Sequence, residues 1–101
     1  MIGAELLLKS IFNSGVDKIF TLSGNQIMPI YDAAIDLGIE MVHCRHEASA
    51  VFMADGYAQS SGKVGVALVT AAPGFTNSLG PLFAINSNQS PVLLLSGDSP
   101  I

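Results

Sequence analysis

A chain of 101 residues is at most one domain, able to bury about 60 to 70% of the surface that its unfolded form exposes. Half of the residues are hydrophobic and 12% are charged, a balance that favours elements covered on both faces or a surface covered by something outside the chain. The net charge of −4, with Lys9, Lys18, Arg45 and Lys63 as the cations, excludes a nucleic-acid backbone as partner, and the apolar runs VGVALVTAA and PVLLLSG fall short of the ~20 residues of a membrane span. Glu5 and Lys9 interrupt the first leucines, so no signal-peptide pattern forms, and the lone Cys44 makes no internal disulfide. A soluble, cytoplasmic protein is expected.

Ile2, Leu6, Leu7, Leu8, Ile11 and Phe12 recur at helical spacing and predict a first helix, ending near Gly15. KIFTLSG reads as a short buried strand broken by Gly24. Pro29 suits the first turn of a second helix that runs through Ile30, Ala33, Ala34 and Leu37 to a cap at Gly38, and IEMVHC follows as a strand. Glu47 to Ser60 predicts a third helix despite Gly56. KVGVALVT is the most strand-like stretch, AAPGFTN reads as a loop with Thr76 or Asn77 as a helix N-cap, a fourth helix carries Leu79, Leu82, Phe83 and Ile85, and PVLLLS makes a fourth strand. The alternation predicts an α/β fold with a parallel sheet and flanking helices. Ligands of such a sheet bind beyond the carboxyl ends of its strands, which directs attention to SGNQ, RHE, AAPGFTN and GDSP.

HCRHE, His43 to Glu47, concentrates reactive groups. On a strand His43 and Arg45 face one way while Cys44 and His46 face the other, so at most two soft ligands share a side, and no other Cys or His completes a zinc site. Cys44 and His46 lie about 7 Å apart at strand rise, too far for a thiolate–imidazole hydrogen bond, which leaves Cys44 as a small core residue. Glu47 differs: it opens a helix at a strand's carboxyl end, where the helix dipole favours an acid, and its neighbours are small or apolar. A carboxyl buried there without a cation keeps its proton to higher pH and serves acid–base work near neutrality. No GxGxxG or GxxxxGK[ST] supports a dinucleotide or nucleoside triphosphate.

The succession RHE, ADGYA, GK, a strand ending in VT, then PGFTN and a final apolar strand resembles the N-terminal, pyrimidine-binding domain of thiamine diphosphate enzymes of the acetolactate synthase-like superfamily. The resemblance extends through GAELLLKSIFNSGVDKIFTLSGNQIMPIYDA. It implies a flavodoxin-like thiamine diphosphate-binding fold, with residues 1–101 as a partial domain lacking its last C-terminal elements. It also implies that Glu47 hydrogen-bonds N1′ of the cofactor's aminopyrimidine and so activates the cofactor, that Pro73 and Asn77 contact the pyrimidine, and that the backbone at Gly24 approaches it. The implied substrates are 2-oxo acids, decarboxylated or carboligated. Leu22-Ser23-Gly24-Asn25 departs from the Tyr-Pro-Gly-Gly type of loop, so Asn25 and Gln26 put polar groups at the cofactor-binding mouth. Mg2+ and the diphosphate are expected in a region absent from this chain, since Gly97-Asp98-Ser99 is no metal motif, and the complete protein is expected to be a homo-oligomer. The alone-standing chain is expected to be inactive. A rival expectation is a non-catalytic module that assembles with a partner subunit carrying the diphosphate-binding half.

Overall fold

The computed structural model describes residues 3–24, 27–71 and 73–97. Helices and strands alternate strictly: α1 Gly3–Asn13, β1 Lys18–Thr21, α2 Met28–Leu37, β2 Glu40–His43, α3 Glu47–Ser61, β3 Gly65–Val69, α4 Pro73–Asn88 and β4 Val92–Ser96. The four strands form one parallel sheet in the order β2-β1-β3-β4. The predicted α/β class and all eight elements are therefore present.

Local chemistry explains the boundaries. Pro29 stands in the first turn of α2, where its missing N–H has no helical partner to lose. α2 and α3 both stop at glycines in the left-handed region, Gly38 at φ 75° and Gly62 at φ 73°, a backbone conformation that residues with a side chain rarely adopt. Gly38 N–H and Gly62 N–H then bond back to carbonyls of their own helices.

Because β3 is buried along its whole length, helices must cover both faces. On one face Leu8 and Ile11 of α1 and Ala33 and Ala34 of α2 pack against Ile19, Val66 and Leu68. On the other, Ala50, Val51 and Ala54 of α3 and Ile85 of α4 pack against Phe20 and Ala67. Gly65 lets α3 lie close to β3, since a Cβ there would run into the backbone carbonyl of Ala54.

This layering creates the site. The chain leaves β1 toward α2 on one face and leaves β3 toward α4 on the other, although β1 and β3 are neighbours. Connections that diverge to opposite faces from adjacent parallel strands open a crevice at their carboxyl ends. Gly24 and Thr70 follow those two strands.

Candidate active site

Glu47 is the first residue of α3 and only 9% exposed. His46 is the N-cap, extended at φ −151° and ψ 143°, and its Nδ1 accepts the Ala48 N–H at 3.0 Å. The imidazole thus does the capping work usually done by a Ser or Asp side chain. With one terminal amide satisfied by His46, the Glu47 carboxylate turns away from its own helix and across the crevice. Its Oε1 accepts the Asn77 Nδ2–H at 3.2 Å, from the second turn of α4.

α4 starts earlier than the sequence pattern predicts. Pro73-Gly74 reads as a turn and Thr76 or Asn77 as a cap, but Pro73 is the first helical residue and Thr76 and Asn77 lie within the helix. A proline at that position loses no helical hydrogen bond and arrives with φ already suitable, so the turn signal is a helix start. The consequence for Asn77 is direct: it stands in the second turn of α4, from which its amide N–H reaches Glu47.

Gly74 closes the arrangement. A Cβ at Gly74 would stand 3.6 Å from Glu47 Oε2, 3.5 Å from Val69 Cβ and 3.1 Å from Thr70 Cγ2. At Gly24 a Cβ would collide with the Thr70 side chain. Two glycines therefore flank one threonine at the mouth of the crevice, and the carboxylate of Glu47 lies beside the second of them, Gly74.

Of the predicted site residues, Glu47 and Asn77 are in direct contact, Gly24 joins them through Thr70, and Pro73 is exposed at the start of α4. Asn25, together with Gln26, lies outside the described residues. Thr70, Gly74 and the capping role of His46 were not read from the sequence pattern; the threonine ending the apolar run of β3 was a hint to the first, while Gly74 reads there as part of a turn.

The other members of HCRHE divide as strand alternation predicts. His43 meets the edge of Tyr31, with ring centroids 5.8 Å apart, on the α1/α2 side. Cys44 packs on the α3/α4 side, with Sγ 3.4 Å from Met53 Sδ. Burial pushes the Cys44 thiol up from its ordinary pKa, against a weaker lowering by the Thr21 backbone, which leaves it a poor nucleophile. No group of three or more His, Cys, Asp or Glu side chains suited to a metal exists among the described residues. The salt bridge of the described residues, Lys18 to Glu40 at 3.5 Å, lies at the opposite end of the sheet, so Glu47 is matched by a neutral amide and not by a cation.

A second polar connection stiffens the same edge. The buried Thr21 hydroxyl donates to the Leu68 carbonyl at 2.9 Å and lies 2.7 Å from the Tyr31 hydroxyl. Burial raises the Tyr31 pKa, only partly offset by its bond to Thr21, so the phenol stays protonated. This ties α2 to both central strands just before their loops. Two hollows lie elsewhere: one of about 270 Å³ between α1 and α2, lined by Glu5, Lys9, Ala33, Asp36 and Leu37, and one of about 250 Å³ bordered by Ser14, Val64 and Leu93. Neither contains a residue of the Glu47 group, and a buried carboxyl bonded to a facing amide outweighs the size of a shallow surface hollow.

Comparison with known proteins agrees with this fold. The family described as thiamine pyrophosphate enzyme, N-terminal TPP binding domain, matches residues 1–101. The chain belongs to that family. Its relatives include the acetolactate synthase large subunit of Haemophilus influenzae, 44% identical over 96 residues, which are 94% of this chain and 17% of that protein. The acetolactate synthase isozyme 3 large subunit of Escherichia coli is 42% identical over 96 residues, again 94% of this chain and 17% of the relative. Human 2-hydroxyacyl-CoA lyase 2 is 47% identical over 95 residues, 94% of this chain and 15% of that enzyme. The chain thus spans about a sixth of the length of the curated relatives it matches. No helix among the described residues is long and apolar enough to cross a membrane.

Proposed function

We propose that residues 1–101 are the partial pyrimidine-binding domain of a thiamine diphosphate enzyme that decarboxylates or carboligates 2-oxo acids, with Glu47 as the residue that engages the cofactor's aminopyrimidine. The observation that carries this reading is the buried Glu47 carboxyl held by the Asn77 amide at 3.2 Å. The donor set suits the ring: a carboxyl to exchange a proton with a ring nitrogen, and a neutral partner that leaves it able to do so.

When bound, thiamine diphosphate would supply a nucleophilic carbon for the substrate carbonyl and an electron sink for the bonding pair left behind as carbon dioxide departs. The rest belongs to this chain. Asn77 donates to Oε1 and so occupies that oxygen. Oε2, on the Gly74 side, is left as the oxygen that carries and passes the proton. Glu47 is fixed by α3, whose close packing on β3 holds its first turn over the sheet edge, and Asn77 fixes the carboxyl rotamer, so little reorganisation is needed as the proton moves. Gly24 and Pro73 line the approach to this position. The diphosphate and Mg2+ would be held by another part of the complete, cytoplasmic homo-oligomer.

The test is Glu47→Gln in the whole polypeptide. Glutamine preserves size and can still accept from Asn77, but it cannot transfer a proton. The expected result is a fall of about a hundredfold or more in proton exchange at the thiazolium C2 of bound cofactor. Unchanged exchange sinks the reading.

A further inference from the structure

We propose that Thr70 is a positioning residue: its side chain is the spacer that sets the separation of the β1 loop from the first turn of α4, and through it the place of Glu47 against the cofactor ring. This rests on the reading of the site given above. Thr70 stands immediately after β3, the central strand of the reversal in strand order. On one side of it is Gly24, where any Cβ would overlap the Thr70 Cβ and Oγ1. On the other is Gly74, where a Cβ would press on Thr70 Cγ2 at 3.1 Å. The Thr70 carbonyl is also within 3.4 Å of the Ser96 hydroxyl at the end of β4.

The two contacts differ in kind. At Gly24 the obstacle includes Cβ, an atom that serine and alanine also possess. At Gly74 the obstacle is Cγ2, which serine lacks. The spacer role therefore predicts selective rescue. Gly74 borders Thr70 and Glu47 Oε2 at once, so displacement of the α4 turn by a crowded Gly74 moves the surroundings of the carboxyl as well. A β-branched residue suits the position because its χ1 is stiff and its two branches occupy fixed directions.

The experiment is a double-mutant cycle in the whole polypeptide, read by titration calorimetry with thiamine diphosphate and Mg2+ and by thermal unfolding without cofactor. Gly74→Ala is expected to weaken cofactor binding about tenfold, and Gly74→Ala with Thr70→Ser to return it to within about threefold of the parent. Gly24→Ala is expected to weaken binding with no recovery when Thr70→Ser is added. Thr70→Ala, which opens the spacing without a clash, is expected to lower C2 proton exchange at saturating cofactor about tenfold while the melting temperature moves by less than about 2 °C.

Additive losses in the Gly74–Thr70 cycle overturn the proposal, as does a Thr70→Ala variant whose exchange is unchanged at saturation. Loss of affinity in strict proportion to melting temperature across the variants overturns it too, because that is packing without positioning. If Gly74→Ala does not fold, the Thr70→Ala exchange rate decides alone. A parent polypeptide that binds no thiamine diphosphate instead overturns the functional reading on which this proposal stands.

Discussion

The two faces of the sheet are packed by different means. Toward α1 and α2 the contacts are made by large aliphatic side chains, Leu8, Ile11, Ile19, Ile27, Ile39 and Leu68, with two alanines on α2. Toward α3 and α4 the buried cluster is half alanine, Ala50, Ala54 and Ala67 beside Phe20, Val51 and Ile85, with Gly65 beneath Ala54. Buried carboxyl groups occur on the second face alone among the described residues, Glu47 and Asp55 both on α3. Bulk stabilises the first face, whereas small residues on the second bring a helix near enough to the strands to hold its first turn, and the acid on it, at the crevice. One face serves mainly stability and the other mainly geometry.

Breaking the first face should cost most in stability and least in binding. Leu8 is fully buried, so Leu8→Ala removes a large side chain and leaves a cavity, with an expected loss of about 3 kcal/mol. Urea denaturation reads this directly. At a temperature where the variant is folded, thiamine diphosphate affinity in the whole polypeptide is expected to stay within about twofold, because Leu8 packs on the face of the sheet opposite α3 and α4. A large affinity loss would remove the division of labour between the faces.

Gly65→Ala should show the reverse proportion. The added Cβ meets the Ala54 carbonyl, and a backbone atom cannot swing aside, so α3 must move as a body. The stability loss is expected to be about 2 kcal/mol, within the usual range for overpacking. Cofactor affinity is expected to fall about tenfold in addition, since α3 carries Glu47 at its start. Affinity that survives while stability drops would show that the register of α3 on β3 does not govern the site.

These contrasts explain what could be read from the chain and what could not. The eight elements were legible because their boundaries depend on local chemistry, such as the glycines that end α2 and α3. Glu47 was legible because strand alternation disposes of its neighbours and leaves it at a carboxyl end. The start of α4 was misread because Pro73-Gly74 suits either a turn or a helix start, and only packing decides between them. The Asn77 bond to Glu47 joins residues 30 apart in the chain, and the glycines at 24 and 74 are explained only by a threonine that folding places between them. Asp55 sits in an unremarkable helical stretch, and its burial depends on the turn before β4.

Asp55 sharpens the second face through its pH dependence. The Ser90 hydroxyl first and the Gln59 amide second, the latter at 2.9 Å, hold its carboxyl below the ordinary carboxylate range. Gln59 also reaches the Ser90 hydroxyl at 3.3 Å, so α3 is clasped to the turn that precedes β4. A lowered folded-state pKa means that the unfolded chain takes up the proton first as pH falls. The contribution is complete above the ordinary Asp value of about 3.9 and is lost as pH drops through the lower folded-state value. Asp55→Asn is expected to flatten the stability curve in that acid window and to leave cofactor affinity at neutral pH nearly unchanged. An unaltered curve would show that the clasp carries no charge-dependent stability.

The smallest effect belongs at the end of the sheet opposite the crevice. Lys18 and Glu40 begin β1 and β2, stand opposite each other in register, and approach to 3.5 Å, while Lys18 also lies 5.6 Å from the centre of the Tyr57 ring. The Glu40 side chain is 66% exposed, so water and salt screen the pair and the ordering of two long side chains offsets much of the attraction. Glu40→Gln is therefore expected to cost about 0.5 kcal/mol or less at low salt, fading as salt is added, with no change in cofactor affinity. Lys18 keeps its contact with Tyr57 in that variant, which limits the loss further. An affinity change from so remote an exposed pair would mean that the strands transmit displacement along their whole length, and the site would then depend on both ends of the sheet rather than on the packing of α3.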